Sequence, residues 1–150
     1  AKDAKWEKIA QPFQRRALTA TYNDGKIYIL GGLDGEGKSH QKVDILDVAS
    51  GKWSQGSEFP GKGVGFSPAS TTHKGSVVVS TLEGGLYRLN AKSNAWEKVG
   101  ESGTKRMVHR IVPFQGYVLL VGGASKGGPF TEIEAVPVSE KGEPITSAKE

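Results

Sequence analysis

Gly25-Lys-Ile-Tyr-Ile-Leu-Gly31-Gly32, followed after a polar loop by Val43-Asp-Ile-Leu-Asp-Val-Ala-Ser-Gly-Lys-Trp53, is the stretch that decides the fold. It contains a turn glycine, a short apolar strand, a double glycine, a loop, a second strand, a tight turn and a tryptophan. Ile27 to Leu30 has the β-branched and aromatic content of a buried strand. Asn23-Asp-Gly25 ahead of it supplies residues that tolerate the positive φ of a two-residue hairpin turn. Parts of this order return. Gly116-Tyr-Val-Leu-Leu-Val-Gly122-Gly123 repeats its first half, and Leu86-Tyr-Arg-Leu-Asn-Ala-Lys-Ser-Asn-Ala-Trp96 its second. Ala4-Lys-Trp6-Glu-Lys-Ile9 nearly duplicates Asn94-Ala-Trp96-Glu-Lys-Val99.

Trp6, Trp53 and Trp96 stand 47 and 43 residues apart. One indole per period in the forties is the spacing of four-stranded propeller blades. The spacing predicts an outer strand for another blade at 1–12, blade one at 13–56, blade two at 57–99 and blade three at 100–140. In blade one an inner strand is expected from Arg15 to Tyr22 and a polar loop from Leu33 to Lys42. Blade two keeps the His73-Lys-Gly75 turn and the Val77 to Val79 strand, but Thr81-Leu82 replaces the double glycine. Gly84-Gly85 lies further on, ahead of the third strand. In blade three, Arg106 precedes Gly122 by sixteen residues, as Arg15 precedes Gly31. Its third strand runs from Ile133 to Val138, with Ala124 to Thr131 as loop. The next tryptophan position falls near Glu143, inside residues 141–150, where no strand pattern exists and a flexible tail is expected. No capped amphipathic helix appears.

A double glycine after an apolar strand, an Asp/Asn-Gly turn before it and a tryptophan after a further strand resemble kelch repeats, from about Trp6 to Val138. The resemblance implies an all-β, kelch-like β-propeller with blades of four antiparallel strands, three blades per chain. Gly31, Gly32, Gly122 and Gly123 would then allow close backbone approach, and Trp53 and Trp96 would fill the outer gap between blades. Propellers have about four to eight blades. A three-blade arc exposes apolar faces and an unpaired strand edge, which invite association. The expected outcome is a homodimer closing one six-bladed ring, with the strand of Trp6 and Ile9 completing the partner's third blade. The competing expectation is half of a longer polypeptide.

Composition narrows the function classes. Twenty basic against 16 acidic side chains give a net charge of +4, and the charges are scattered. Only Arg15-Arg16 and Lys105-Arg106 are adjacent basic pairs, so a nucleic-acid surface is not expected. No apolar run reaches the ~18 residues of a membrane helix, and no membrane partner is expected. The absence of cysteine excludes disulfides, thiol catalysis and cysteine metal sites. It also excludes the cysteine-linked tyrosine radical of kelch-containing copper oxidases. No cofactor and no metal are expected. The start at Ala1, with no apolar signal segment, fits upstream trimming and a periplasmic or secreted location with its signal removed.

Gly32-Leu-Asp-Gly-Glu-Gly37-Lys38-Ser39 satisfies the pattern of a phosphate-binding loop after a strand. That chemistry needs a helix starting at Lys38-Ser39, whereas the parallel with Leu86 to Trp96 predicts a strand. His40, His73 and His109 show no metal-ligand spacing; His40 and His109 are expected to approach the loop face. Arg15 and Arg106, at the starts of inner strands, are expected near that face too, with Arg16 and Arg110 beside them. Guanidinium forks suit carboxylates, so Arg15, Arg16, His40, Arg106 and His109 form the candidate site for a peptide or small anionic ligand. Equally, the arginines could tie the blades together through backbone carbonyls. The expected function is a non-enzymatic binding and self-assembling protein. The alternative implied by the resemblance is a bacterial kelch-type sugar enzyme, such as a sialic acid mutarotase, working through Arg15, Arg106, His109, His40 and Glu36.

Overall fold

The computed structural model describes residues 5–61 and 66–139. Thirteen strands and no α-helix occur among them. β1 (Thr19–Asn23), β2 (Lys26–Leu30), β3 (Val43–Asp47) and β4 (Trp53–Gly56) form one antiparallel sheet in chain order. β5 (Ala69–His73), β6 (Ser76–Ser80), β7 (Gly85–Asn90) and β8 (Ala95–Glu101) form the second in the same way. β9 (Arg110–Phe114), β10 (Tyr117–Val121) and β13 (Glu134–Pro137) form a third sheet, three-stranded among the described residues. The expected loop at 124–131 carries a small hairpin of its own, β11 (Ala124–Ser125) and β12 (Gly128–Pro129).

The inner strand of blade one starts at Thr19 rather than Arg15, because Ala17 sits at a φ of 53° and breaks the ladder. Ser67 (48°) and Val108 (58°) occupy the same place before β5 and β9. The repeated left-handed kink turns each connector into its inner strand. Beyond the kink, Arg16 and Leu33 exchange backbone hydrogen bonds, as do Met107 and Ala124. The second glycine of each pair packs against this bridge. A Cβ on Gly32 would lie 2.8 Å from the Arg16 carbonyl oxygen, and one on Gly123 2.7 Å from that of Met107. Both also have positive φ (101° and 86°), so the double glycine is required twice over.

Register makes the blades superposable. Thr19, Ala69 and Arg110 hold corresponding positions, opposite Leu30, Ser80 and Val121. Strand alternation gives each blade a front, toward the next blade, and a back. The front of blade one meets the back of blade two through Leu30, Val43, Phe59 and Val79, with Tyr28, Ile45, Leu82, Tyr87 and Trp96 packed against them. Near the axis the same seam is polar: Thr19 and Ser70 hydroxyls are 3.0 Å apart, and Thr21 and Thr72 hydroxyls 3.4 Å. The second seam buries Ala69, Val78, Leu86 and Val99 against Ile111, Val118, Leu120, Val136 and Val138. Residues 5–13 form no ladder with a described strand, and Trp6 and Ile9 are exposed. The flexible tail expected at 141–150 lies outside the described residues.

Candidate functional site

The two arginines sixteen residues ahead of a double glycine make the same structure in blades one and three. Arg15 donates from Nε to the Gly31 carbonyl (2.7 Å) and from Nη2 to Asp44 Oδ2 (2.5 Å), with its guanidinium over the Phe13 ring at 4.4 Å. Arg106 donates from Nη1 to the Gly122 carbonyl (3.1 Å), from Nη2 to Glu134 Oε2 (3.1 Å) and to Thr104 Oγ1, and lies 4.2 Å from the centre of the Phe130 ring. Asp44 and Glu134 correspond in register, opposite Ile29 and Leu120. The carbonyl that each arginine holds belongs to the first glycine of the pair. A planar guanidinium holds that carbonyl and a third-strand carboxylate through two separate nitrogens of one rigid fork; an ammonium would have to reach both from a single nitrogen.

Glu134 is the more heavily used carboxylate. It accepts from Ser102 Oγ (2.8 Å), Gly103 N (2.6 Å), Thr104 Oγ1 (2.6 Å) and Arg106, and so ties the connector from blade two to blade three's third strand. Partial burial alone would raise its pKa. The hydrogen bonds from Thr104, Ser102 and Gly103, with the Arg106 charge, outweigh that and hold it below the usual glutamate value. Neither carboxylate is among the site residues that the sequence pattern singles out. The signal was there: Asp44 follows Arg15 by 29 residues, and Glu134 follows Arg106 by 28. Blade two has Tyr87 at this position, opposite Val79, and Gly65 where the arginine would stand.

His109 is buried in the second seam, with Nε2 2.9 Å from the equally buried Ser80 Oγ. Burial, reinforced by the charges of Arg106 and Arg110, pulls its pKa down to about 4, so the ring is neutral at pH 7. His40 is placed differently, in the loop after blade one's double glycine, with Nε2 2.8 Å from Asp34 Oδ2. The other Asp34 oxygen accepts from the amides of Glu36 (3.0 Å) and Lys38 (2.9 Å). The amides a phosphate loop would offer to its ligand are thus partly claimed by a carboxylate of the same loop. The expected strand follows, as β3. The His40 hydrogen bond, with that of the Lys38 amide, lowers the Asp34 pKa.

Arg16 keeps an exposed side chain, with Nη1 3.0 Å from the Asp34 carbonyl oxygen. Beside it opens a recess of about 340 Å³ lined by Gln11, Gln14, Arg15, Arg16, Leu33 and Asp34. Arg15, Arg16 and His40 therefore gather around one loop, whereas Arg106 and His109 lie two blades away. Arg15 and Arg106 present little surface, their side chains being 6% and 2% exposed.

Each blade tryptophan also has a fixed role. Trp53 Nε1 donates to the Ala10 carbonyl (3.1 Å) and the ring meets Phe13 edge-on. Trp96 Nε1 donates to the Ser57 carbonyl (3.0 Å) and its ring meets Phe59 edge-on. The indole of the outer strand thereby latches the connector that enters its own blade. Trp6, whose sequence surroundings match those of Trp96, is 103% exposed.

A description of the kelch motif matches residues 14–60, which span blade one from its arginine to the connector beyond β4. No curated protein matches the chain. A solved structure titled "Structure of YjhT" superposes with a TM-score of 0.72 at 15% identity, over 88% of this chain and 45% of that one. The chain spans less than half the length of that structure, and at this identity the likeness is one of fold. The matched motif coincides with blade one, and its antiparallel plan recurs in the two sheets that follow, so the chain carries a kelch motif in an all-β fold of kelch-like blades.

Proposed function

We propose that the chain is a non-enzymatic kelch-type binding and assembly protein that self-associates by strand exchange into a closed six-bladed propeller. The observation that carries the reading is the contrast among tryptophans. Trp53 and Trp96 each latch a connector, while Trp6 projects into solvent. Among the described residues, blade three has a matching vacancy. The latch accepts at the fourth residue after the preceding tryptophan, Ala10 after Trp6 and Ser57 after Trp53; Gly100 is the fourth after Trp96. Among the described residues no indole reaches it, and β13 pairs only with β10. An incoming strand carrying Trp6 would pair with the edge of β13 away from β10 and place its indole near Gly100, with Ile9 alongside.

Light scattering across micromolar concentrations tests this. Twice the chain mass is expected for the intact chain, and loss of that species on deleting residues 1–9. A monomer throughout would reject it. On the loop face of the ring, the recess beside Arg16 is proposed to take a peptide carboxylate or a small anion. Titration with small dicarboxylates, followed by NMR, should shift the resonances of Gln14, Arg16 and Asp34, and Arg16→Ala should abolish the response.

A further inference from the structure

Resting on the ring-closing reading, we infer that the front of blade three docks on the back of blade one of a second copy, with Val112 against Tyr22 where the internal seam holds Thr21 against Thr72. The internal seam supplies the template. Leu30 and Val43 on the front of blade one are 0% and 2% exposed beneath blade two, whereas Val121 and Ile133, at the corresponding places in blade three, are 36% and 63% exposed. Val112, Phe114 and Tyr117 extend the same exposed apolar face. A sheet face of this composition is one that a protein normally covers.

What covers it follows from how the two open faces depart from the template together. In the seam between blades one and two, the axis-lining contacts are hydroxyl on hydroxyl, Thr19 with Ser70 and Thr21 with Thr72. At the corresponding places the open front carries Arg110 and Val112, and the open back carries Ala20 and Tyr22. Polar has become apolar on both sides at the inner Thr21–Thr72 position. A valine facing Thr72 would remove the 3.4 Å hydroxyl contact and leave Thr72 Oγ1 only its hydrogen bond to the Tyr22 carbonyl (2.5 Å), and Tyr22 facing a threonine would remove the contact from the other side. The two replacements suit each other and do not suit the seam between blades one and two; in the second internal seam the same place holds Thr71 and Pro113. Each copy offers one such front and one such back, so two copies close with two identical seams and leave neither face exposed.

Cross-linking reads this directly, because the chain has no cysteine. Tyr22→Cys and Val112→Cys are placed in one chain, and blade two keeps these positions apart within a copy. Under mild oxidation the double variant should give a covalent dimer on a non-reducing gel, and mixing the two single variants should give the same band. Thr21→Cys with Thr72→Cys, across the internal seam, serves as the control and should cross-link within one chain without changing its mass. Dimers by light scattering that do not cross-link through positions 22 and 112 would overturn this pairing and leave the assembly reading standing. Monomers that do not cross-link would overturn both.

Discussion

Glu134 is where a single side chain carries the most. With its carboxylate removed, Arg106 would keep a charge that is 2% exposed and lose its only carboxylate partner among the described residues. Breaking a buried ion pair from one side costs about 3–5 kcal/mol, and Glu134→Ala should lower the urea midpoint accordingly. Glu134→Gln keeps one acceptor oxygen, enough for Ser102 and Thr104 on the Oε2 side, but turns an NH2 toward the Gly103 amide, and should cost less than Glu134→Ala. Arg106→Lys should also destabilise, because one ammonium nitrogen replaces the separate Nη1 and Nη2 donors that hold the Gly122 carbonyl and Glu134. His109 gives a pH signature. Its folded pKa of about 4 lies below the ordinary 6.5, so the unfolded chain binds the proton more readily. The stability tied to the neutral ring is complete above pH ~6.5 and is lost as pH falls toward 4, on the order of 3 kcal/mol. His73, whose pKa burial also lowers, acts in the same direction. Equilibrium unfolding between pH 4 and 7 should show this slope, and His109→Leu should flatten most of it.

The strand-turn-strand unit between kink and double glycine is the element on which blades one and three depend. Gly123→Ala would drive a Cβ into the Met107 carbonyl at 2.7 Å and the His109 Cβ at 2.8 Å, at a φ of 86°. A cost of about 2–3 kcal/mol or more is expected. Gly116→Ala, at the hairpin tip of the same blade with nothing within 4 Å, should stay within about 0.5 kcal/mol; thermal unfolding of the pair measures the difference. Elements of this kind were legible because their reasons are local. Turn glycines, alternating apolar strands and the tryptophan period each announce themselves within a few residues. The kink at Ala17 was not, since nothing in Arg-Arg-Ala-Leu demands a left-handed alanine; the Leu33 bridge and the close-packed Gly32 accompany it from sixteen and fifteen residues away. The same distance hid the site. Arg15 and Arg106 could be picked from the sequence, but their commitment to Asp44 and Glu134 depends on strand register, as does the seclusion of His109 behind Ser80. Blade two shows the converse: without the arginine and the acid, it fills the place with Tyr87, whose ring excludes any Cβ at Gly85.

At the scale of the molecule, the two internal seams and the two open faces are governed by the same packing, so stability and assembly should be coupled. Closing a ring over Val121, Ile133, Phe114 and Tyr117 adds apolar burial that an isolated arc lacks, at about 25 cal/mol for each Å² covered. Stability gained through a second copy depends on its concentration. The thermal midpoint should therefore rise as the protein is concentrated from sub-micromolar to tens of micromolar, whereas an arc complete in itself would melt at one temperature throughout. Tryptophan emission supplies the local counterpart. Trp53 and Trp96 are latched within the chain, so dilution should leave them unchanged. Trp6 should emit as a solvated indole in the dilute chain and shift to the blue as it enters the partner's third blade. Trp6→Phe should remove that shift while keeping most of the apolar contact, and Trp6→Ala should remove both the shift and the concentration dependence of the midpoint. A midpoint that rises with concentration in Trp6→Ala as steeply as in the parent would place the association elsewhere, on the sheet faces without strand exchange.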